Sequence, residues 1–202
     1  MSAVAILEVT EALRDRLEAA RAASGVPGKV FVGPLDDADA GGAALILFLY
    51  RVVPSPSLRN SEHRVPTGGT PPVAVYRNAL PLDLYYLVTV GTRPNASEET
   101  PLRALGFVMQ ALQNDPELTG AAVGHQIVRL SLEPLSTDEA SRIWALFPTA
   151  NYRTSIVYLA TPVWIDPAAV APQADPVVQD QLTGGPRAPE PEGAPREPGV
   201  TA

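Results

Sequence analysis

Two stretches of this chain are apolar on every side, and that restricts its fold more than any other feature. Leu45 to Val53 is almost continuously apolar. Leu82 to Val90 alternates, yet both alternating sets carry large apolar groups: Leu82, Leu84, Tyr86, Val88 and Val90 in one, Tyr85 and Leu87 beside Asp83 and Thr89 in the other. Successive strand residues point to opposite faces of a sheet. A strand that is apolar in both registers therefore belongs in the interior of a sheet covered on both sides.

Helices must supply the cover, and three are expected. Residues 3 to 23 place Ile6, Val9, Leu13 and Leu17 at three- and four-residue steps, with Glu11, Arg14, Asp15 and Glu18 opposite. Ser2 is placed to cap this helix, and Gly25 followed by Pro27 ends it. Thr100-Pro101 opens a second helix with an inner stripe of Leu102, Leu105, Met109 and Leu112, stopped by Asp115-Pro116. Ser136-Thr137-Asp138-Glu139 is the signature of a capping box, for a third helix running to Phe147.

Further strands are expected at Lys29 to Val32, Gln126 to Glu133 and Tyr152 to Ile165. Asp36 to Gly42 is acidic and glycine-rich and reads as a loop, as do residues 54 to 72, rich in Pro, Ser, Gly and Thr. A loop of that length in a compact domain is generally functional or mobile. The order of elements predicts one mixed sheet with about three helices against it, an α/β fold of the α+β type, over residues 1–166. Eight prolines then fall between Pro167 and Ala202, with no aromatic residue and more acids than arginines, so 167–202 is expected to be a disordered tail.

Composition narrows function mainly by exclusion. A net charge of −7 and a pI near 4.8 speak against a phosphate-binding surface, so no nucleic acid partner is expected. The single lysine, Lys29, leaves arginine as the positive side chain, and its planar fork suits protein interfaces. Without cysteine there are neither disulfides nor thiolate metal sites. The N-terminal stretch carries Glu8 and Glu11 and lacks the pattern of a signal peptide, and the longest apolar run, Ala43 to Tyr50, is far short of a bilayer span. The chain is expected to be cytoplasmic, with no direct membrane insertion.

No catalytic constellation emerges. His63 and His125 read as solvent-exposed loop histidines; Ser61, Glu62 and His63 are too close in sequence to converge as a triad. Neither Gly41-Gly42 nor Gly68-Gly69 lies in a phosphate-cradling motif. Asp36, Asp37 and Asp39 lack the spacing of a calcium loop. No enzyme activity, cofactor or metal is expected. Trp144 and Phe147 read as core. Tyr85 and Tyr86 must face opposite ways, so either both are core or one reaches a partner. Arg59-Asn60, in a loop beyond a buried strand, serves either its own loop's carbonyls or a neighbouring subunit.

Five blocks in fixed order carry a resemblance: the N-terminal helix at Val4 to Leu13; LILFLYRV…LRN at Leu45 to Asn60; PLDLYYLVTV at Pro81 to Val90; LRALGFVMQALQNDPELTG at Leu102 to Gly120; and LSTDEASRIWALF…YRTSIVYLATPVWID at Leu135 to Asp166. The set resembles the N-terminal domain of the cap, or tail-terminator, proteins of extracellular phage-tail-like contractile injection systems. The resemblance implies a structural subunit that forms a ring, a homohexamer, on the distal end of the inner tube and sheath. Such a ring ends polymerisation and keeps the sheath extended. It implies self-association, tube and sheath as partners, and candidate contacts at Arg51, Arg59, Asn60, Tyr85 and Arg153. The alternatives are an adaptor that docks partners through the proline-rich tail, and an unrecognised small hydrolase.

Overall fold

The computed structural model describes residues 2–66, 69, 73–91 and 99–168. All but the first two residues of the expected tail lie outside this set. A six-stranded mixed sheet organises the molecule, in the order β1-β2-β5-β8-β7-β6. Its strands are β1 (Val30–Val32), β2 (Leu45–Pro54), β5 (Leu80–Val90), β6 (Glu117–Leu118), β7 (Val128–Glu133) and β8 (Ser155–Ile165). β1 runs parallel to β2 and the other pairings are antiparallel. The expected mixed sheet with three helices is present.

One face of the sheet is covered by α1 (Ala5–Ala23) and α2 (Glu99–Asn114). α1 buries Val9, Leu13 and Leu17 completely, the stripe its periodicity predicts. They meet Leu45 and Leu47 of β2 and Leu82, Leu84, Tyr86, Val88 and Val90 of β5 in one core. The helix stops where expected: Gly25 takes a left-handed φ of +71°, which glycine adopts without strain. Its start differs. A short 3-10 turn, Ser2–Val4, leads in, and Val4 occupies the cap position without a side-chain hydrogen bond.

The other face meets α3 (Thr137–Trp144), which packs Ile143, Trp144 and the following Phe147 onto Leu87 and Val157. The capping box forms: the Glu139 N–H donates to Ser136 Oγ, and the Ser136 N–H donates to Glu139 Oε2 at 3.1 Å. The regular helix ends at Trp144, short of Phe147, which closes a turn back to the Trp144 carbonyl. Eight residues make about 12 Å of helix, against about 30 Å for the ten-residue β2. The cover therefore runs out. β2 is buried on both faces from Leu45 to Leu47, but Arg51 and Val52 are exposed. Two-sided burial holds for β5 from Pro81 to Val90, with Tyr85 half-buried, and only for the first part of β2.

Three further expectations are corrected. The 54–72 stretch is not all loop: β3 (His63–Pro66) pairs with β4 (Val73–Tyr76) in an antiparallel hairpin outside the main sheet. α2 begins before Thr100-Pro101, at Glu99, and buries Ala104, Leu105, Val108 and Leu112. Its inner stripe is rotated from the expected one, so that Leu102 is 47% exposed while the small Ala104 allows close packing. β8 starts at Ser155, not Tyr152. At the end of β5 the backbones crowd together. A Cβ on Gly91 would lie 1.9 Å from the Ala43 carbonyl oxygen, so only glycine fits.

Candidate functional site

The core settles one of the paired tyrosines. Tyr86 is fully buried, and its hydroxyl lies 2.8 Å from Thr10 Oγ1, which itself donates to the Ile6 carbonyl at 2.7 Å. With the threonine proton committed to Ile6, the phenol is the donor of the shared bond. Burial pushes the Tyr86 pKa up to about 12.

Tyr85 faces the other way and packs against the cluster built by Ile143, Trp144 and Phe147. It is half-buried, and the guanidinium carbon of Arg51 sits 4.9 Å from its ring centroid. Tyr50 meets the same ring edge-on at 6.3 Å. A register shift between Leu49 and Arg51 places Arg51 opposite Tyr85. The cation–π contact holds the long arginine side chain in place while Arg51 as a whole stays exposed. Two of the five candidate contacts are thus one structural unit.

Arg59 and Asn60 lie beyond the Pro54 end of β2, in a turned segment tied to the sheet by the Ser55 N–H donating to the Pro81 carbonyl at 2.9 Å. Both are exposed, and no side chain among the described residues bonds the Arg59 guanidinium.

Arg153 sits at the opposite end of the sheet. It is half-buried, donates to the Val90 carbonyl at 3.3 Å, and lies 5.9 Å from the Trp144 ring. Burial pushes its guanidinium below the ordinary value, and no carboxylate lies within salt-bridge distance among the described residues. The Trp144 indole is buried as expected, with its N–H unpaired, and packs on Tyr152 at 5.4 Å. The candidate contacts therefore do not form one patch: Arg51 with Tyr85, Arg59 with Asn60, and Arg153 mark three regions.

The structure also holds a cluster that the sequence reading missed. His63 is not a solvent-exposed loop histidine. Its ring stacks on Trp164 with 4.7 Å between centroids and 2° between planes, and its Nδ1 is 2.6 Å from Asp166 Oδ1. Only 14% of the His63 side chain is exposed. These contacts clamp the β3–β4 hairpin to the end of β8, beside a cleft of about 340 Å³ whose walls include Arg64, Tyr76 and Gln126. No local signal in the sequence links position 63 to position 166. His125 is exposed, as expected. Among the described residues no group of three or more His, Asp or Glu side chains is placed to hold a metal ion. None of the described helices is long and apolar enough to cross a membrane.

A mixed sheet with two helices on one face, a short third helix on the other and a separate hairpin is the frame on which comparison with known proteins bears. The profile of a protein family described as the Pvc16 N-terminal domain matches residues 8–179. The chain belongs to the Pvc16 N-terminal domain family. Two solved structures share the fold of this Pvc16-type domain. The anti-feeding prophage cap, a tube-terminating cap, aligns with a TM-score of 0.60 at 22% identity, covering 87% of this chain and 60% of that one. The sheath/tube terminator of a PVC extracellular contractile injection system, in its extended state, aligns at 0.56 and 18% identity, covering 91% of this chain and 64% of that one. The chain thus spans less than two thirds of the length of either. No curated protein sequence is significantly similar to it.

Proposed function

We propose that this Pvc16-type chain is a structural cap that terminates the tube and sheath of a contractile injection particle. Copies form a ring, a hexamer in this reading, on the distal end of the tube. The ring ends polymerisation and holds the sheath extended. The observation that carries the reading is the family match over residues 8–179, which takes in α1 from Glu8 onward, the other two helices and the whole sheet. Fold likeness to two terminators supports it. A cap works by presenting rigid surfaces rather than by turning over a substrate, so the role is not enzymatic. In this reading Arg51, Arg59, Asn60, Tyr85 and Arg153 are contact residues toward tube, sheath or neighbouring copies, and the particle is assembled in the cytoplasm.

Deleting the gene in a particle-producing strain tests this directly. Electron microscopy is expected to show tubes or sheaths of uncontrolled length, or particles contracted before triggering. Uniform, extended particles from the deletion strain overturn the proposal.

A further inference from the structure

The two ends of the sheet carry opposite charge, although the chain as a whole stands at −7. Beyond the Pro54 end, the segment from Pro54 to Leu80 contains Arg59, Arg64 and Arg77 against the single acid Glu62. Glu62 is shared between Arg64 at 3.2 Å and Arg77 at 3.6 Å, and Arg59 is unpaired among the described residues. Glu8, Asp83 and Asp166 also lie toward this end, Asp83 bonded by Thr161 and Asp166 held against His63, so the fully exposed charges here are chiefly the arginines against Glu62.

The opposite end, where β2 begins, bears the loop from Gly33 to Ala44 with Asp36, Asp37 and Asp39 and no base. All three carboxylates belong to exposed residues, and none has an ion-pair partner among the described residues. Asp37 accepts the Asp39 N–H at 2.8 Å. The bases at this end are engaged otherwise: Lys29 lies over the Phe31 ring, and Arg153 donates to the Val90 carbonyl. Asp36 and Asp37 line a cleft of about 270 Å³ together with Asn151 and Arg153. Tyr152, between Asn151 and Arg153, is 68% exposed. An exposed tyrosine beside acid-rimmed concavity matches the composition of protein interfaces, where Tyr and Arg are enriched.

A ring needs a contact in which one surface of a copy meets a different surface of the next. A head-to-tail contact sets one end against the other, about 30 Å away along β2, and such contacts generate rings when the rotation closes.

We propose that neighbouring copies of this chain meet head to tail, with Arg59 and Arg64 of one copy seated in the Asp36–Asp37 cleft of the next. The forked guanidinium binds carboxylates through two parallel hydrogen bonds, which fixes direction as well as attraction. The inference rests on the reading of the chain as a ring-forming cap and supplies the ring's contact.

The test uses the full chain expressed in a particle-producing strain. Arg59→Glu with Arg64→Glu reverses one side; Asp36→Arg with Asp39→Arg reverses the other and keeps the Asp37 turn. Each reversal is expected to lower the particle-bound amount at least about tenfold, since like charges set face to face are strongly disfavoured. The four-fold variant restores complementarity and is expected to recover binding. Because the chain has no cysteine, Arg64→Cys with Asp36→Cys allows a short bifunctional thiol linker to be applied to purified particles. A ladder of multiples is expected from the double variant and none from either single one. Melting curves confirm that each variant is folded. Unchanged binding in both reversals, no recovery in the four-fold variant, or no ladder overturns the head-to-tail contact while leaving the cap reading intact. Absence of the wild-type chain from particles overturns the cap reading itself and this inference with it.

Discussion

Removing the Tyr86 hydroxyl separates two effects that the structure places on one atom. Tyr86 is fully buried between the sheet and α1, and its hydroxyl donates to Thr10 Oγ1 at 2.8 Å. In Tyr86→Phe the threonine keeps its bond to the Ile6 carbonyl, so no buried donor is stranded. The cost near neutral pH is then that of one net hydrogen bond, about 1 kcal/mol, or roughly 2–4 °C for a domain of this size. Thr10→Val leaves the phenol buried and unpaired, and is expected to cost more, about 1–3 kcal/mol. The alkaline behaviour runs the other way. An unfolded tyrosine loses its proton near pH 10, whereas burial holds Tyr86 protonated to about 12. Between these values the unfolded state binds fewer protons, so the wild type loses stability as pH rises, by about 1.4 kcal/mol per pH unit. Burial also raises Tyr50 and Tyr158, so the wild type falls on their account too, but Tyr86→Phe shares that part. Urea unfolding at 25 °C from pH 8 to 11.5 reads the difference. The wild type is expected to be the more stable at pH 8, with the two curves crossing near pH 11. A gap that stays constant across this range refutes the buried, protonated donor.

Two further outcomes follow from the local geometry. Ser136→Ala removes the cap of α3 and is expected to lower stability by about 1 kcal/mol, read as a melting shift. Bonds from Ser136 hold the Glu139 carboxyl below its ordinary value, so the wild-type advantage is present at neutral pH and shrinks as pH falls through the carboxylate range. His63→Ala removes both the Trp164 stack and the Asp166 contact, at a cost of roughly 2 kcal/mol. Amide exchange is expected to quicken at Arg64 to Val65 and leave α1 unchanged; equal effects on both would show that the hairpin is not clamped by His63.

Several elements were legible in the chain because their signals are local. The capping box at Ser136 and Glu139 closes within one helical turn. The α1 stripe repeats with the helix's own period, and the glycine that ends it answers to a backbone angle at one residue. The two apolar sets of Leu82 to Val90 required a strand with cover on both faces, which β5 has. Family membership was legible in the order of five blocks, though no single block carried it. The geometry of the contact surfaces was not legible. The Thr10–Tyr86 bond joins residues 76 positions apart, and the His63–Asp166 pair residues 103 apart. Such pairs exist only once strand register is set, and register depends on the whole sheet. The same holds for Arg51 over Tyr85, which needs the β2 irregularity, and for the face that α2 buries, which is decided by where α1 already lies. The charge at each position was written in the sequence, but its separation onto two ends of the molecule comes from a ten-residue strand that carries the 33–44 loop to one end and the 54–80 segment to the other.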